Sequence, residues 1–278
     1  MTLRYAVNLS ILFTELPLLA RPAAAKRAGF DAAEFWWPFP VAVPSDAELD
    51  SFADAVTDAG IALVGLNFFA GDMPGGDRGL VSWPARRQEF HDNVDVVIGL
   101  GERLGCPAFN ALCGNRIEGV DPAEQDELAV THLAAAGRAA DRIGATVLVE
   151  PVSGAPRYPL RRAADAVAII DRVRAVTGVG NLGLLFDLYH LTVNGDDVPA
   201  AITDFGDRVA HVQIADAPGR HEPGSGSLDL AGHLGALAAA GYDGWFALEY
   251  SPSGASVDAF TWMSPDHGAQ RSAPPRHP

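Results

Sequence analysis

Cysteine is almost missing from this chain: its 278 residues include two, Cys106 and Cys113. Two thiols are too few for a disulfide framework, so both are expected to be reduced and packed beside the apolar segment they flank. Neither has the companions that make a cysteine a nucleophile. Positive charge is also scarce, with 20 Lys and Arg against 35 Asp and Glu and a net charge of −15. Binding a phosphate backbone needs a clustered positive surface, so the expectation is no nucleic-acid partner. No apolar run approaches the roughly 18 residues of a membrane span. The start, Met1-Thr-Leu-Arg-Tyr5, runs directly into a strand pattern without the apolar stretch of a leader. The expectation is a cytoplasmic protein with no membrane partner. No glycine-rich phosphate fingerprint follows the first strand, which argues against an open doubly wound sheet that binds a dinucleotide.

What the chain does contain is a strand pattern repeated eight times. Short apolar segments end in a carboxylate or carboxamide at Asn8, Glu34, Asn67, Asn110, Glu150, Asp187, Gln213 and Glu249. Segments of helical period separate them and mostly finish in a Gly, at Gly29, Gly60, Gly105, Gly144, Gly180 and Gly241, and less clearly at Gly206. Glycine suits a helix end because the position past the last turn often needs a left-handed backbone. Starts agree with stops: Ser45 with Glu48 reads as a capping box, and Asp121 before Pro122 as a capping acid before a first-turn proline. The polar strand ends lie 26 to 43 residues apart, the length of a βα unit with its loops. Eight such units suit this length, and 48% hydrophobic residues supply the core, so the expected fold is an α/β (β/α)8 TIM barrel. One catalytic domain is expected over residues 1–263. The tail 264–278 has no apolar period and is expected to be disordered.

In such a barrel the C-terminal ends of all strands face one cavity, so residues distant in sequence share a site. Glu150, Asp187, Gln213 and Glu249 end strands five to eight. Carboxylates forced to the rim of a buried layer are costly unless they are paired, hydrogen-bonded or metal-bound. An oxygen-rich set suits a hard divalent cation, Mg²⁺ or Mn²⁺, better than Zn²⁺. The alternative is that these acids pair with arginines or cap helices. His190, three residues past Asp187, is placed to hold a substrate hydroxyl or carbonyl, or is an ordinary loop histidine. His211 points the same way as Gln213 but deeper, as a support behind the ligands or as packing. Arg220 offers a fork for a substrate carboxylate or hydroxyl pair, or is a solvated surface residue. Asn8, Glu34, Asn67 and Asn110 line the other wall or serve as turn residues. Phe13, Trp36, Trp37, Phe68 and Phe69 form an apolar cover or ordinary packing.

Several stretches resemble the hydroxypyruvate isomerase family, within the xylose-isomerase-like barrels. They are Asn8-Leu-Ser-Ile-Leu-Phe13, Ala70-Gly-Asp with Arg78-Gly79, Glu150-Pro151, Phe186-Asp-Leu-Tyr-His190, His211-Val-Gln-Ile-Ala-Asp216, Glu222-Pro-Gly-Ser-Gly226, Gly244-Trp and Glu249-Tyr250. Together they span nearly the whole chain to about Met263. Related epimerases place a histidine at the position of Gln213. The resemblance implies a divalent metal held by Glu150, Asp187, Gln213 and Glu249, proton transfer by Glu150 and Glu249, and substrate contact by His190 and Arg220. It also implies a small-molecule substrate and a homo-oligomer. The loop Val152-Ser-Gly-Ala-Pro-Arg-Tyr-Pro-Leu160 is shorter than the family's usual loop and lacks its Asn, Asp and Gly-Phe pattern. The expected activity is aldose–ketose isomerisation of a small hydroxy or oxo acid, with hydroxypyruvate to tartronate semialdehyde foremost. A 2-oxo-tetronate isomerase and a ketose 3-epimerase are alternatives on the same site. A sugar-acid or inosose dehydratase, an apurinic-site endonuclease and a sugar-acid binding protein are the remaining ones.

Overall fold

The computed structural model describes residues 3–263. The expected disordered tail, 264–278, lies outside them. Eight parallel strands close into a barrel in sequence order: β1 (Arg4–Asn8), β2 (Ala32–Phe35), β3 (Ala62–Asn67), β4 (Ala108–Asn110), β5 (Thr146–Val149), β6 (Leu182–Asp187), β7 (Val209–Ile214) and β8 (Trp245–Leu248). Pairing of β8 with β1, in register from Arg4 opposite Trp245 to Val7 opposite Leu248, makes the closure. The TIM-barrel expectation holds. The eight polar residues fall at the strand ends or within one residue of them. Asn8, Asn67, Asn110 and Asp187 are last in their strands, Glu34 and Gln213 are next to last, and Glu150 and Glu249 follow β5 and β8 directly.

Alternation along each strand puts Ala6 with Asn8, Ala32 with Glu34, Ala108 with Asn110, Leu148 with Glu150, Leu185 with Asp187 and Ala247 with Glu249 on the same face. Small apolar side chains therefore form the floor, as two clusters: Ala6, Ala32, Val64 and Ala247, and Ala108, Leu148 and Leu185. The polar residues form the layer above. Gly65 leaves room in that layer: a Cβ there would lie 3.2 Å from Glu34 Oε2 and 3.9 Å from His211 Nε2.

Around the barrel lie α1 (Arg21–Arg27), α2 (Asp46–Ala59), α3 (Arg87–Leu104), α4 (Pro122–Asp141), α5 (Ala163–Thr177), α6 (Leu188–Val193), α7 (Val198–Phe205) and α8 (Leu230–Ala239). The Ser45 and Glu48 capping box opens α2, and Asp121 caps α4 by accepting the Ala123 N–H at 2.9 Å. Two features differ from the sequence reading. The segment that ends at Gly29 is not one continuous helix: a 3-10 turn over Leu18–Ala20 precedes α1, whose first turn holds Pro22. Proline has no N–H to donate and fits a first turn but not an interior. The second feature is α6, a short helix that leaves β6 directly at Asp187.

Candidate active site

The neighbouring strands β5 and β6 bring two of the acids together, with α6 adding a histidine. Glu150, Asp187 and His190 each offer one potential ligand atom, and these atoms lie within 4.8 Å of one another. Glu150 and Asp187 each have one oxygen hydrogen-bonded by the protein. Glu150 Oε2 accepts from Asn110 Nδ2 at 2.6 Å, while its Oε1 lies 3.8 Å from His190 Nε2. Asp187 Oδ1 caps α6 by accepting the His190 N–H at 2.9 Å, leaving Oδ2 3.8 Å from His190 Nε2 and 3.9 Å from Arg220 Nη2. The capping role weighed against metal binding is thus real, yet it uses one oxygen of two. Glu249 Oε2 accepts from Asn8 Nδ2 at 3.0 Å and its Oε1 takes the Arg220 guanidinium.

Gln213 and His211 are organised by Glu34. Glu34 Oε1 accepts from Gln213 Nε2 and from Asn8 Nδ2, each at 2.8 Å, and its Oε2 lies 2.6 Å from His211 Nε2. With its amide nitrogen committed, Gln213 presents an oxygen that is buried and has no hydrogen-bond partner. An orphaned buried acceptor beside carboxylates is the arrangement a hard cation satisfies. Glu150, Asp187 and His190 offer ligand atoms close enough together to hold a metal, and the unpartnered Gln213 oxygen is of the type a hard cation takes. Burial alone would raise the Glu34 carboxyl, but the His211 charge and the bonds from His211, Gln213 and Asn8 bring it below its ordinary value.

The other glutamates go the opposite way. Burial, then the Asp187 charge, pushes the Glu150 carboxyl up to about 8. Burial carries Glu249 well above its ordinary value too; Arg220 opposes this, and Glu34, Glu150 and Asp187 add to it. His190 is brought down to about 4, first by burial, with the Arg220 and Arg78 charges contributing and Asp187 opposing. Its ring is neutral at pH 7. Its Nδ1 accepts the Ser153 N–H at 3.1 Å and lies 2.7 Å from Ser153 Oγ. A nitrogen that accepts a backbone N–H carries no proton, so the ring proton is on Nε2, facing Glu150 and Asp187. That tautomer makes His190 a hydrogen-bond donor into the cavity.

Arg220 sits in the loop after β7. Asp216 holds this loop by accepting N–H groups from Ala217 at 2.8 Å, Gly224 at 2.8 Å and Leu228 at 3.0 Å. Arg220 itself adopts a left-handed backbone with φ 59°, an uncommon conformation for a residue with a side chain. Its guanidinium lies on Glu249, near Asp187, and over the Tyr189 ring at 5.4 Å, so it is neither solvated nor free. Asn67, Trp36, Trp37, Phe68 and Phe69 line the cavity of about 970 Å³ that also contains Glu150, His190, Arg220 and Glu249. Phe13 is not part of that wall; it packs on Phe260 at 5.9 Å on the flank of the barrel. Ser153 and Tyr158 escaped the sequence reading. Tyr158 donates to the Glu150 carbonyl at 3.1 Å and accepts the Cys113 N–H at 2.9 Å, tying the β4 and β5 rims together.

A family model described as a xylose isomerase-like TIM barrel matches residues 22–268. The chain belongs to that family. A relative from Streptomyces coelicolor named as a putative hydroxypyruvate isomerase is 55% identical over 94% of this chain and 95% of its own length. A 2-oxo-tetronate isomerase from Cupriavidus necator is 33% identical over 94% of this chain and 98% of its own. The crystal structure of a protein from Brucella melitensis titled AP endonuclease, family 2, superposes with a TM-score of 0.85 at 33% identity, covering 94% of this chain and 98% of that one. Family membership and the closed barrel account for one another.

Proposed function

We propose that this chain is a divalent-metal-dependent aldose–ketose isomerase of a small hydroxy-oxo acid, with hydroxypyruvate to tartronate semialdehyde as the leading reaction. The observation that carries the reading is the pair Glu150 and Glu249, buried in one cavity with both carboxyls held above their ordinary values. Carboxyls that can hold a proton and give it up inside one cavity are what an enediolate mechanism requires. Glu150, Asp187, Gln213 and Glu249 would hold Mg²⁺ or Mn²⁺, which would supply Lewis-acid stabilisation for negative substrate oxygens.

One glutamate takes a proton from the hydroxymethyl carbon of hydroxypyruvate, and the electron pair moves onto the neighbouring carbonyl to leave an enediolate. The other glutamate delivers a proton to the former carbonyl carbon, while the hydroxyl proton passes between the two oxygens. Nothing is oxidised or lost overall. His190, donating from Nε2, holds an oxygen that gains negative charge, and Ser153 keeps the ring in that tautomer. Trp36, Trp37, Phe68 and Phe69 limit water around the intermediate. The names borne by the relatives support this substrate class. The endonuclease title of the structural relative carries less weight here, because the net charge is −15 and the cluster contains one imidazole whose Nε2 bears a proton. The free, buried cysteines suit a reducing, cytoplasmic setting.

Proton NMR of hydroxypyruvate in D₂O with Mg²⁺-loaded protein tests the proposal. Tartronate semialdehyde is expected with deuterium at its central carbon, and Glu150→Gln and Glu249→Gln are each expected to lose about 10²–10⁴ in rate. No turnover of hydroxypyruvate or of a four-carbon 2-oxo acid sinks the isomerase reading.

A further inference from the structure

Four arginines line the cavity, and they differ in what already occupies them. Arg220 is on Glu249 and Asp187. Arg86 is taken by Asp77 at 2.7 Å and by Glu89 at 2.6 Å. Arg21 donates to the carbonyls of Leu16 and Leu9, with Glu15 close enough to act on its charge. Arg78 donates only from Nη1, to Met73 O at 2.9 Å and to Asp77 O at 2.6 Å, and forms no ion pair with a carboxylate among the described residues. Its Nε and Nη2 remain available on a half-buried side chain.

Backbone hydrogen bonds tie down the loop that carries Arg78. The loop 70–79 closes on itself through Gly79 N to Ala70 O at 2.9 Å, Asp77 N to Asp72 O at 2.9 Å and Asp72 N to Asp77 Oδ2 at 2.8 Å. Gly114 N anchors the Arg78 carbonyl at 2.9 Å. Gly79 has φ 107° and is pressed so closely on the Leu112 backbone that a side chain there would strike its carbonyl. A cation fixed by two carbonyls and left with an open fork is preorganised for a planar anion. Need and supply also match: an anionic substrate entering beside Glu150, Asp187 and Glu249 requires a countercharge away from them, and Arg220 is already engaged.

We infer that Arg78 forms a carboxylate subsite, gripping the acid group of the substrate within the cavity that Glu150 and Glu249 also line. The inference rests on the hydroxy-oxo-acid reading above, and its test separates the two. Steady-state kinetics would compare wild type, Arg78→Ala and Arg78→Lys on hydroxypyruvate and on dihydroxyacetone, the same ketose with a hydroxymethyl group in place of the carboxylate. Calorimetry would titrate glycerate, a carboxylate that cannot isomerise in this way, into all three. Losing a charge-assisted pair predicts KM for hydroxypyruvate and Kd for glycerate raised about 10–100-fold in Arg78→Ala, with kcat changed far less. Arg78→Lys falls between, and dihydroxyacetone turnover is unaffected. Arg78→Lys keeps the charge, so it guards against a loop that collapses in the alanine variant. Equal glycerate binding by all three proteins, or equal losses on both substrates, overturns the subsite while leaving the isomerase intact. Arg78-dependent glycerate binding without any turnover of hydroxypyruvate upholds the subsite and overturns the reaction assigned to it.

Discussion

Glu150 shows how one residue couples chemistry to stability. Burial, with the Asp187 charge, pushes its folded carboxyl up to about 8 from an ordinary 4.5. The folded state therefore holds a proton that the unfolded chain has released, so this contribution is complete below pH 4.5 and disappears as pH rises to about 8. Glu249 shifts in the same direction. Chelator-treated wild type is expected to melt at progressively lower temperature between pH 5 and pH 8, and Glu150→Gln to flatten that slope when followed by differential scanning fluorimetry. A slope equally steep in the variant would show that Glu150 is not the group responsible. The glutamates were legible in the sequence because an acid at the end of an apolar strand has one place to go. Ser153 was not, since its partner His190 is 37 residues away and the fold alone brings them together. Arg78 was likewise hidden: nothing in its neighbours says that Arg86, rather than Arg78, takes Asp77.

Among the connecting elements, the loop after β7 depends most on one side chain. Asp216 is buried and its carboxyl is held below the ordinary range; burial opposes this, and backbone N–H groups from Leu228, Gly226, Gly224 and Ala217 outweigh it. Asp216→Asn removes the charge from these bonds and is expected to cost about 1.5–3 kcal/mol at pH 7. A carboxyl with a lowered folded pKa stabilises above its unfolded value and stops doing so as pH falls through the folded one. The melting-temperature gap between wild type and Asp216→Asn should thus narrow on acidification below about pH 4. Because this loop carries Arg220, kcat should fall along with stability. The long helices were readable from caps and glycine stops, as at Ser45 and Asp121. α6 was not, because six residues, Leu-Tyr-His-Leu-Thr-Val, carry too little period to distinguish a helix from the end of a strand.

For the molecule as a whole, barrel closure was legible from counting units, whereas register was not: the shifts between Ala33 and Glu34 and between Leu184 and Leu185 have no marker in sequence. Closure concentrates acids at one end of an already anionic chain, so a divalent cation should bind the folded form far better than the unfolded one. At one hundred times its Kd, such a ligand stabilises by about 2.7 kcal/mol, or roughly 5–10 °C in a protein of this size. Mn²⁺ is expected to raise the melting temperature of wild type by that amount and that of Asp187→Asn by much less; equal shifts would mean the ion binds elsewhere. The cavity wall has one more consequence. Of five tryptophans, Trp36 and Trp37 face the cavity, while Trp83 donates to Asn115 O at 3.0 Å, Trp245 lies under Arg4 and Trp262 packs on Tyr5. A substrate settling inside changes the surroundings of two indoles and leaves three as they were, so the protein's own ultraviolet emission reports occupancy without a label.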